Sequence, residues 1–300
     1  MTLVGLLGEG IATSLTPPMH REEALRLGLD YEYRVLDTAS TGRGVSDLPQ
    51  ILDEIVADGF DAINVTHPFK QGIIPYLDEL TADAAELGAV NLVLYRDGRV
   101  IGHNTDWTGF QYALRAGLTS IEGENVVQVG AGGAGAATCF AALKSGATEM
   151  TIADLFPDAA DRLVGRMREL FPQATIRSCA LADMSPALAN ADGVVHATPT
   201  GMLHNPGLAF ELDGLRPEAW VADVVYLPLA TQLVRTARSR GHRVLDGGLM
   251  AVGQAIDSIR IITGHEPDGI RMRQHFLALV DEEATTPTHT ATTSQKGTQR

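Results

Sequence analysis

The chain has 300 residues, 45% of them hydrophobic, and a mean hydropathy of +0.03, which suits a protein of two domains with a sizeable core. Acidic residues outnumber basic ones 37 to 23, a net charge of −14, and no Lys/Arg cluster overrides that sign, which argues against nucleic acid as a partner. No apolar run approaches the roughly 18 residues of a membrane helix, the opening MTLVGLLGEG lacks a signal peptide's basic start, and Cys139 and Cys179 form no C-x-x-C pair; a cytoplasmic protein with reduced thiols, no membrane partner and no metal site is expected.

Leu3 to Leu7 reads as a buried strand. A polar loop then leads to Ser14-Leu15-Thr16-Pro17-Pro18, where Pro18 suits the first turn of a helix running to about Leu27. Tyr31 to Leu36 alternates as a second strand, Leu48, Ile51, Leu52, Ile55 and Val56 make a helical stripe, and Ala62 to Val65 is a third strand. The connections are long enough for parallel pairing, so this is one small α/β unit. Thr66 and Lys70 follow its third strand, at the edge where open α/β sheets bind ligands. Taken alone, Lys70 reads first as a solvated helix lysine. Ala89 to Tyr95 and Val100 to His103 flank Arg96-Asp97-Gly98-Arg99, a hairpin signal that delivers Asn104, Thr105 and Asp106. Taken alone, Asp106 reads first as the N-cap of a helix from Trp107 to Ala116.

The stretch from Val126 to Asp154 organises the rest. A short apolar run turns through Gly130-Ala131-Gly132-Gly133-Ala134-Gly135 into an Ala-rich helix, a match to G-x-G-x-x-G in strand–turn–helix context. A second apolar run ends at Asp154, nineteen residues past Gly135, where a dinucleotide fold places the acid for a ribose 2′-hydroxyl. The alternative is an ordinary βα turn. Strands follow at Thr175 to Ser178, Gly193 to Ala197, Trp220 to Val225 and Arg243 to Leu245, giving six for a doubly wound, Rossmann-type parallel sheet. After Gly247-Gly248-Leu249-Met250, a helix containing Gln254 and a last helix from about Asp268 to Leu279 are expected to pack back on the first domain. Residues 282–300, rich in threonine and without a large apolar side chain, read as a disordered tail. The domain boundaries expected are 1–103 with 249–281 for the substrate and 104–248 for the dinucleotide.

Taken in order, Ser14-x-Thr16-Pro17, Asn64-Val65-Thr66-His67-Pro68-Phe69-Lys70, Gly88-Ala89-Val90-Asn91, Gly102-His103-Asn104-Thr105-Asp106, the glycine turn, Ala197-Thr198-Pro199-x-Gly201-Met202, Tyr226-x-Pro228 and Gln254 resemble the shikimate/quinate dehydrogenase family. The likeness runs from Gly5 to about Leu279. It implies a catalytic pair, Lys70 and Asp106. Thr66, Asn91, Asp106 and Gln254 would contact substrate hydroxyls, and Ser14, Thr16 and Tyr226 the substrate carboxylate. A cofactor would meet Gly130, Ala131, Gly132, Gly133, Ala134, Gly135, Asp154, Thr198, Val225 and Gly247. A proton-shuttling lysine beside a hydroxyl-binding carboxylate suits alcohol oxidation, and hydroxyl donors recognise a small anion without a large positive field.

Three departures from the family pattern stand out. Glu9 and Thr13 replace the usual proline and histidine of the first loop, Thr16 stands where shikimate enzymes commonly have serine and resembles members that also accept quinate, and Asp154-Leu155-Phe156 replaces the basic turn of NADP-using members. The resemblance therefore implies an NAD-dependent quinate/shikimate dehydrogenase acting on a cyclitol carboxylate, as a monomer or homodimer. A relative acting on an aminoshikimate or aminoquinate, and a dinucleotide-binding regulator without turnover, are the alternatives.

Overall fold

The computed structural model describes residues 1–285, with side chains to Glu282. The elements are β1 (Thr2–Gly8), α1 (Thr16–Arg26), β2 (Tyr31–Asp37), α2 (Leu48–Ala57), β3 (Ala62–Val65), α3 (Phe69–Gly72), β4 (Glu79–Leu80), α4 (Ala82–Leu87), β5 (Leu92–Arg96), β6 (Arg99–His103), α5 (Asp106–Gly117), β7 (Asn125–Val129), α6 (Gly133–Lys144), β8 (Glu149–Asp154), α7 (Pro157–Leu170), β9 (Thr175–Ala180), α8 (Ser185–Ala189), β10 (Gly193–His196), β11 (Trp220–Asp223), α9 (Gln232–Ser239), β12 (Val244–Leu245), α10 (Gly247–Thr263) and α11 (Gly269–Thr285).

Two six-stranded sheets carry them. In the first, ordered β2-β1-β3-β5-β6-β4, β1 pairs in parallel with both β2 and β3, as the long α1 and α2 connections require. The β5–β6 hairpin then runs antiparallel to β3, turning through Asp97 and Gly98 at φ 53° and 71°, the left-handed pair that matches strand twist. Val4, Ile63, Leu92 and Val93, none of them measurably exposed, fill its faces. The second sheet is parallel throughout, ordered β12-β11-β10-β7-β8-β9. Strand order reverses between β7 and β10, the switch point of a doubly wound fold.

The two sheets meet through helices. Helix α5 leaves the first sheet and α10 leaves the second, and they cross at Gly109 and Gly253: a Cβ on Gly253 would stand 2.8 Å from the Gly109 carbonyl oxygen. Leu15 and Met19 of the α1 region join Val252 and Ile259 of α10 and Phe276 of α11 in one apolar cluster, so the C-terminal helices do return to the first sheet's side. Arg271 clamps Glu23, 1% exposed, with bonds of 2.6 and 2.8 Å and fixes α11 to α1.

Several boundaries differ from the sequence reading. Ala89 to Asn91 are not strand, because Val90 N–H turns to the Lys70 carbonyl at 2.8 Å. Strand β11 stops at Asp223, whose own carboxylate takes the Val225 N–H at 3.0 Å. Val56 is 59% exposed and lies off the buried stripe. Helix α11 continues to Thr285, so the first four residues of the expected tail are helical, in keeping with the helix propensity of Glu282, Glu283 and Ala284. The remainder of that tail lies outside the described residues. The short β4, α3, α4 and α8 had no periodicity long enough to read.

Candidate active site

Strand β3 ends at Val65, and the turn Thr66-His67-Pro68 starts the short α3 that carries Lys70. On the other side the β5–β6 hairpin runs into α5. Asn104 caps that helix: its Oδ1 accepts the Asp106 N–H at 3.0 Å. Asp106 is thus the first helical residue rather than the N-cap, and its carboxylate is free for another use. Oδ2 lies 2.6 Å from Lys70 Nζ, across 36 residues of sequence. The lysine side chain is 24% exposed and the aspartate 7%, so Lys70 is paired and half-buried rather than solvated.

Asn91 completes this group. Its Nδ2 donates to Asp106 Oδ1 at 2.9 Å and to Thr105 Oγ1 at 3.0 Å, while its Oδ1 accepts the Thr105 N–H at 2.6 Å. Expected to contact a substrate hydroxyl, Asn91 spends both amide hydrogens inside the protein. Thr66, half-buried, lines one cleft with Lys70.

That cleft, about 720 Å³, has Thr66, His67 and Lys70 on one wall and Ala131, Gly132, Gly133 and Ala134 on the other. It therefore joins the Lys70–Asp106 pair to the glycine turn. Gly130 holds φ 110°, and a Cβ there would lie 2.4 Å from the Ala197 carbonyl oxygen. A Cβ on Gly135 would lie 2.2 Å from the Gly130 carbonyl oxygen, whereas one on Gly132 would meet nothing within 4 Å. Two glycines are required by the turn and by helix packing, and the middle one leaves open backbone at the start of α6, the arrangement a pyrophosphate needs. Asp154, at the end of β8, accepts the Ala131 N–H at 2.7 Å with Oδ2 and the Phe156 N–H at 2.8 Å with Oδ1. Each oxygen keeps a second acceptor site, so this edge fits an unphosphorylated ribose diol. Leu155 and Phe156 beside it are 74% and 69% exposed and bring no cation.

The other expected cofactor residues also converge at strand ends. A Cβ on Gly247 would lie 2.5 Å from the Val225 carbonyl oxygen. Thr198 follows β10 at the switch point, and its Oγ1 stands 2.6 Å from His196 Nε2, with His196 Nδ1 2.9 Å from Asp223 Oδ1. In the neutral imidazole the carboxylate takes the Nδ1 proton, and Nε2 then accepts from the threonine hydroxyl. His196 and Asp223 were missed in the sequence reading, although a histidine closing the apolar run Gly193-Val194-Val195 was a visible signal of a buried polar contact.

Of the remaining expected residues, Ser14 and Thr16 lie at the start of α1, Tyr226 follows β11 and Gln254 lies on α10. Ser14 Oγ accepts the Thr16 N–H at 3.3 Å, which leaves its proton for an outside acceptor, and Thr16 opens α1. Tyr226 belongs to the apolar cluster of Leu15, between those two hydroxyls, with its ring 6.2 Å from that of Phe276. The loop before them, where Glu9 and Thr13 depart from the family pattern, is tied down by Asp37, which accepts from Gly10 and Ile11 N–H at 2.8 and 2.9 Å. Hydrogen bonds from backbone N–H groups, that of Ala39 first, hold the Asp37 carboxyl below its usual range. Gln254 sits on α10 at the Gly109 crossing, half-buried, close to the start of α5.

Known proteins agree with this architecture. A family model described as the shikimate dehydrogenase substrate binding domain matches residues 6–93. A shikimate dehydrogenase (NADP(+)) of Pseudarthrobacter chlorophenolicus is 47% identical over 94% of this chain and 96% of its own length. A quinate/shikimate dehydrogenase (NAD(+)) of Corynebacterium efficiens is 45% identical over 92% of this chain and 98% of its own. Among solved structures, quinate dehydrogenase from Corynebacterium glutamicum in complex with NAD superposes with a TM-score of 0.86 at 41% identity, covering 92% of this chain and 99% of that one.

Proposed function

The chain belongs to the shikimate/quinate dehydrogenase family, and from that premise we propose that it is an NAD-dependent quinate/shikimate dehydrogenase, interconverting a cyclitol carboxylate alcohol and its 3-dehydro ketone. The observation that carries this reading is the 2.6 Å contact of Lys70 with Asp106, with Lys70 on a cleft whose opposite wall is the glycine turn. In this reading residues near 1–103 and 249–281 hold the substrate, and residues near 104–248 hold the dinucleotide.

The cofactor, when bound, would supply the hydride acceptor for oxidation as NAD and the hydride donor for reduction as NADH. In oxidation the neutral amine of Lys70 takes the hydroxyl proton and becomes the ammonium, and in reduction the ammonium returns that proton to the carbonyl oxygen. Asp106 Oδ2 holds Nζ and accepts from the reacting hydroxyl with its remaining lone pair, while Asn91 fixes the carboxylate by way of Oδ1. Thr66 and Gln254 contact further hydroxyls. Ser14, Thr16 and Tyr226 supply hydroxyl donors for the substrate carboxylate, which suits a protein whose net charge would repel an anion. Support for NAD comes from Asp154 with its uncharged neighbours; relatives carry both cofactor names.

Initial rates with quinate and shikimate, each with NAD and with NADP, test substrate and cofactor together. General acid–base catalysis is typically worth ~10² to 10⁴ in rate, so Lys70→Ala should lower kcat at least about 100-fold with NAD affinity nearly unchanged. Retention of more than roughly a tenth of turnover, with chemistry rate-limiting, would assign the proton to another group.

A further inference from the structure

A file of buried polar side chains crosses the apolar interior and ends on Asp106. Tyr33 OH donates to Asn64 Oδ1 at 2.8 Å, and Asn64 Nδ2 donates to Ser258 Oγ at 3.2 Å. Ser258 Oγ lies 3.2 Å from Thr105 Oγ1, Thr105 Oγ1 lies 3.3 Å from Asn91 Oδ1, and Asn91 Nδ2 donates to Asp106 Oδ1 at 2.9 Å. The most exposed of them, Asn64, is 7% accessible, so water does not satisfy these groups.

The two amides of the file are oriented by their neighbours. Asn64 Nδ2 also faces the Asn91 backbone carbonyl, 3.4 Å away, which only a nitrogen can do favourably. Asn91 Oδ1 faces the Thr105 N–H at 2.6 Å, so its nitrogen must face the carboxylate. That nitrogen is shared between Asp106 Oδ1 and Thr105 Oγ1, and the threonine hydroxyl in turn meets Ser258. The hydroxyls of Thr105 and Ser258 thus brace the amide that holds the one group of the file carrying negative charge.

Ser258 is the joint. Along α10 the buried residues are otherwise glycine or apolar, among them Ala255, Ile256, Ile259 and Ile262. Packing would accept alanine at 258, so the hydroxyl answers to the polar file and not to the helix. We propose that Ser258 is a positioning residue for the reaction: by way of Thr105 and Asn91 it fixes the plane of the Asp106 carboxylate, and with it the oxygen presented to Lys70. The inference rests on the reading of Lys70 and Asp106 as the reacting pair.

Ser258→Ala and Tyr33→Phe, alone and combined, test it on the full chain with quinate and NAD, beside Lys70→Ala. Loss of one buried hydrogen bond that orients a reacting group is expected to lower kcat about tenfold in Ser258→Ala and about threefold in Tyr33→Phe. KM for NAD should stay at the wild-type value. The double variant should be no slower than Ser258→Ala, because the file is already open. A separate structural contribution of each hydroxyl would instead make the losses multiply to about thirtyfold, and that result overturns the proposal, as does wild-type kcat in Ser258→Ala. Should Ser258→Ala be insoluble, Tyr33→Phe decides alone: a reduced kcat at unchanged KM for NAD supports the file, and an unchanged kcat overturns it. Lys70→Ala separates the two levels. If it keeps its turnover, the reading of the reacting pair fails; if it is inactive while Ser258→Ala is as fast as wild type, only the inference about Ser258 fails.

Discussion

At the scale of the residue, the proposed preference for NAD turns on the charge of Asp154. A 2′-phosphate brought against its carboxylate would set like charges about 4 Å apart, ~4 kcal/mol of repulsion at an effective dielectric near 20, reduced by solvent to ~2 to 3 kcal/mol. NAD should be favoured over NADP by roughly 30- to 200-fold in kcat/KM, and equal efficiency would sink the assignment. In Asp154→Ser the gap should narrow from both sides, since the serine relieves the repulsion but cannot accept the Ala131 and Phe156 N–H groups as the carboxylate does. Burial acts as strongly at His20, fully enclosed beside Tyr33 with ring centroids 4.9 Å apart and its pKa pushed down to about 3. An unfolded histidine titrates near 6.5, so below that pH the unfolded chain gains a proton that the folded chain refuses. The stability from keeping His20 neutral is complete above pH ~6.5 and is lost as pH falls toward ~3, up to ~5 kcal/mol in all. Chemical denaturation from pH 7 to 4 should show this slope, and His20→Phe should flatten it; an equal slope in the variant would place the acid sensitivity elsewhere.

At the scale of the element, the crossing of α5 and α10 bears on the proposed catalytic geometry, because one helix begins with Asp106 and the other carries Gln254. The crossing is close only because both partners are glycine. A Cβ on Gly253 would lie 2.7 Å from Tyr112 Cβ and 2.8 Å from the Gly109 carbonyl oxygen, and neither is the far end of a flexible side chain. Overpacking of this kind costs ~1 to 3 kcal/mol, so Gly253→Ala should lower Tm by roughly 3 to 10 °C and reduce kcat/KM by shifting α10 against Asp106. Gly165→Ala on α7, where a Cβ would meet nothing, is the control: it should leave kcat/KM unchanged and, by removing a glycine from a helix interior, raise Tm slightly. Such crossings mark the limit of what the sequence discloses. The strands of the parallel sheet, the glycine turn and the Asp97-Gly98 hairpin were legible because each is written in adjacent residues as a period, a φ requirement or a fixed spacing. The family motifs pointed to Lys70 and Asp106, although each alone read as solvent-facing or capping. That Asn104, one residue before the N-cap Thr105, accepts the first helical N–H groups was hidden because Asp106 is the residue type expected to cap. The Thr105–Ser258 contact spans 153 residues, and nothing local in a buried helix face distinguishes a serine with a distant partner from one that merely fills space.

At the scale of the whole molecule, the cleft lies between the two sheets, and one contact across it bears on the segment that seats Lys70. Arg166 on α7 donates from Nη1 to the Leu87 carbonyl at 2.5 Å, at the end of α4. Its guanidinium lies against Gly88, where a Cβ would sit 3.0 Å from Nη1. The segment it grips leads directly to Ala89, whose carbonyl accepts from Asn104, and to Val90, whose N–H holds the Lys70 carbonyl. A cation on the dinucleotide sheet therefore steadies the backbone that seats the lysine of the other sheet. The arginine is solvent-exposed, so its contact is worth ~0.5 to 1 kcal/mol at most. Hydride transfer needs both ligands held in near-contact, and a tie of that size biases the approach of the two walls without dictating it. Arg166→Ala should accordingly keep the wild-type Tm to within a few degrees and lose about two- to fivefold in kcat/KM with either substrate, the loss appearing with NAD and quinate alike. A variant indistinguishable from wild type at low salt would mean that the α5–α10 crossing alone sets the distance between the walls.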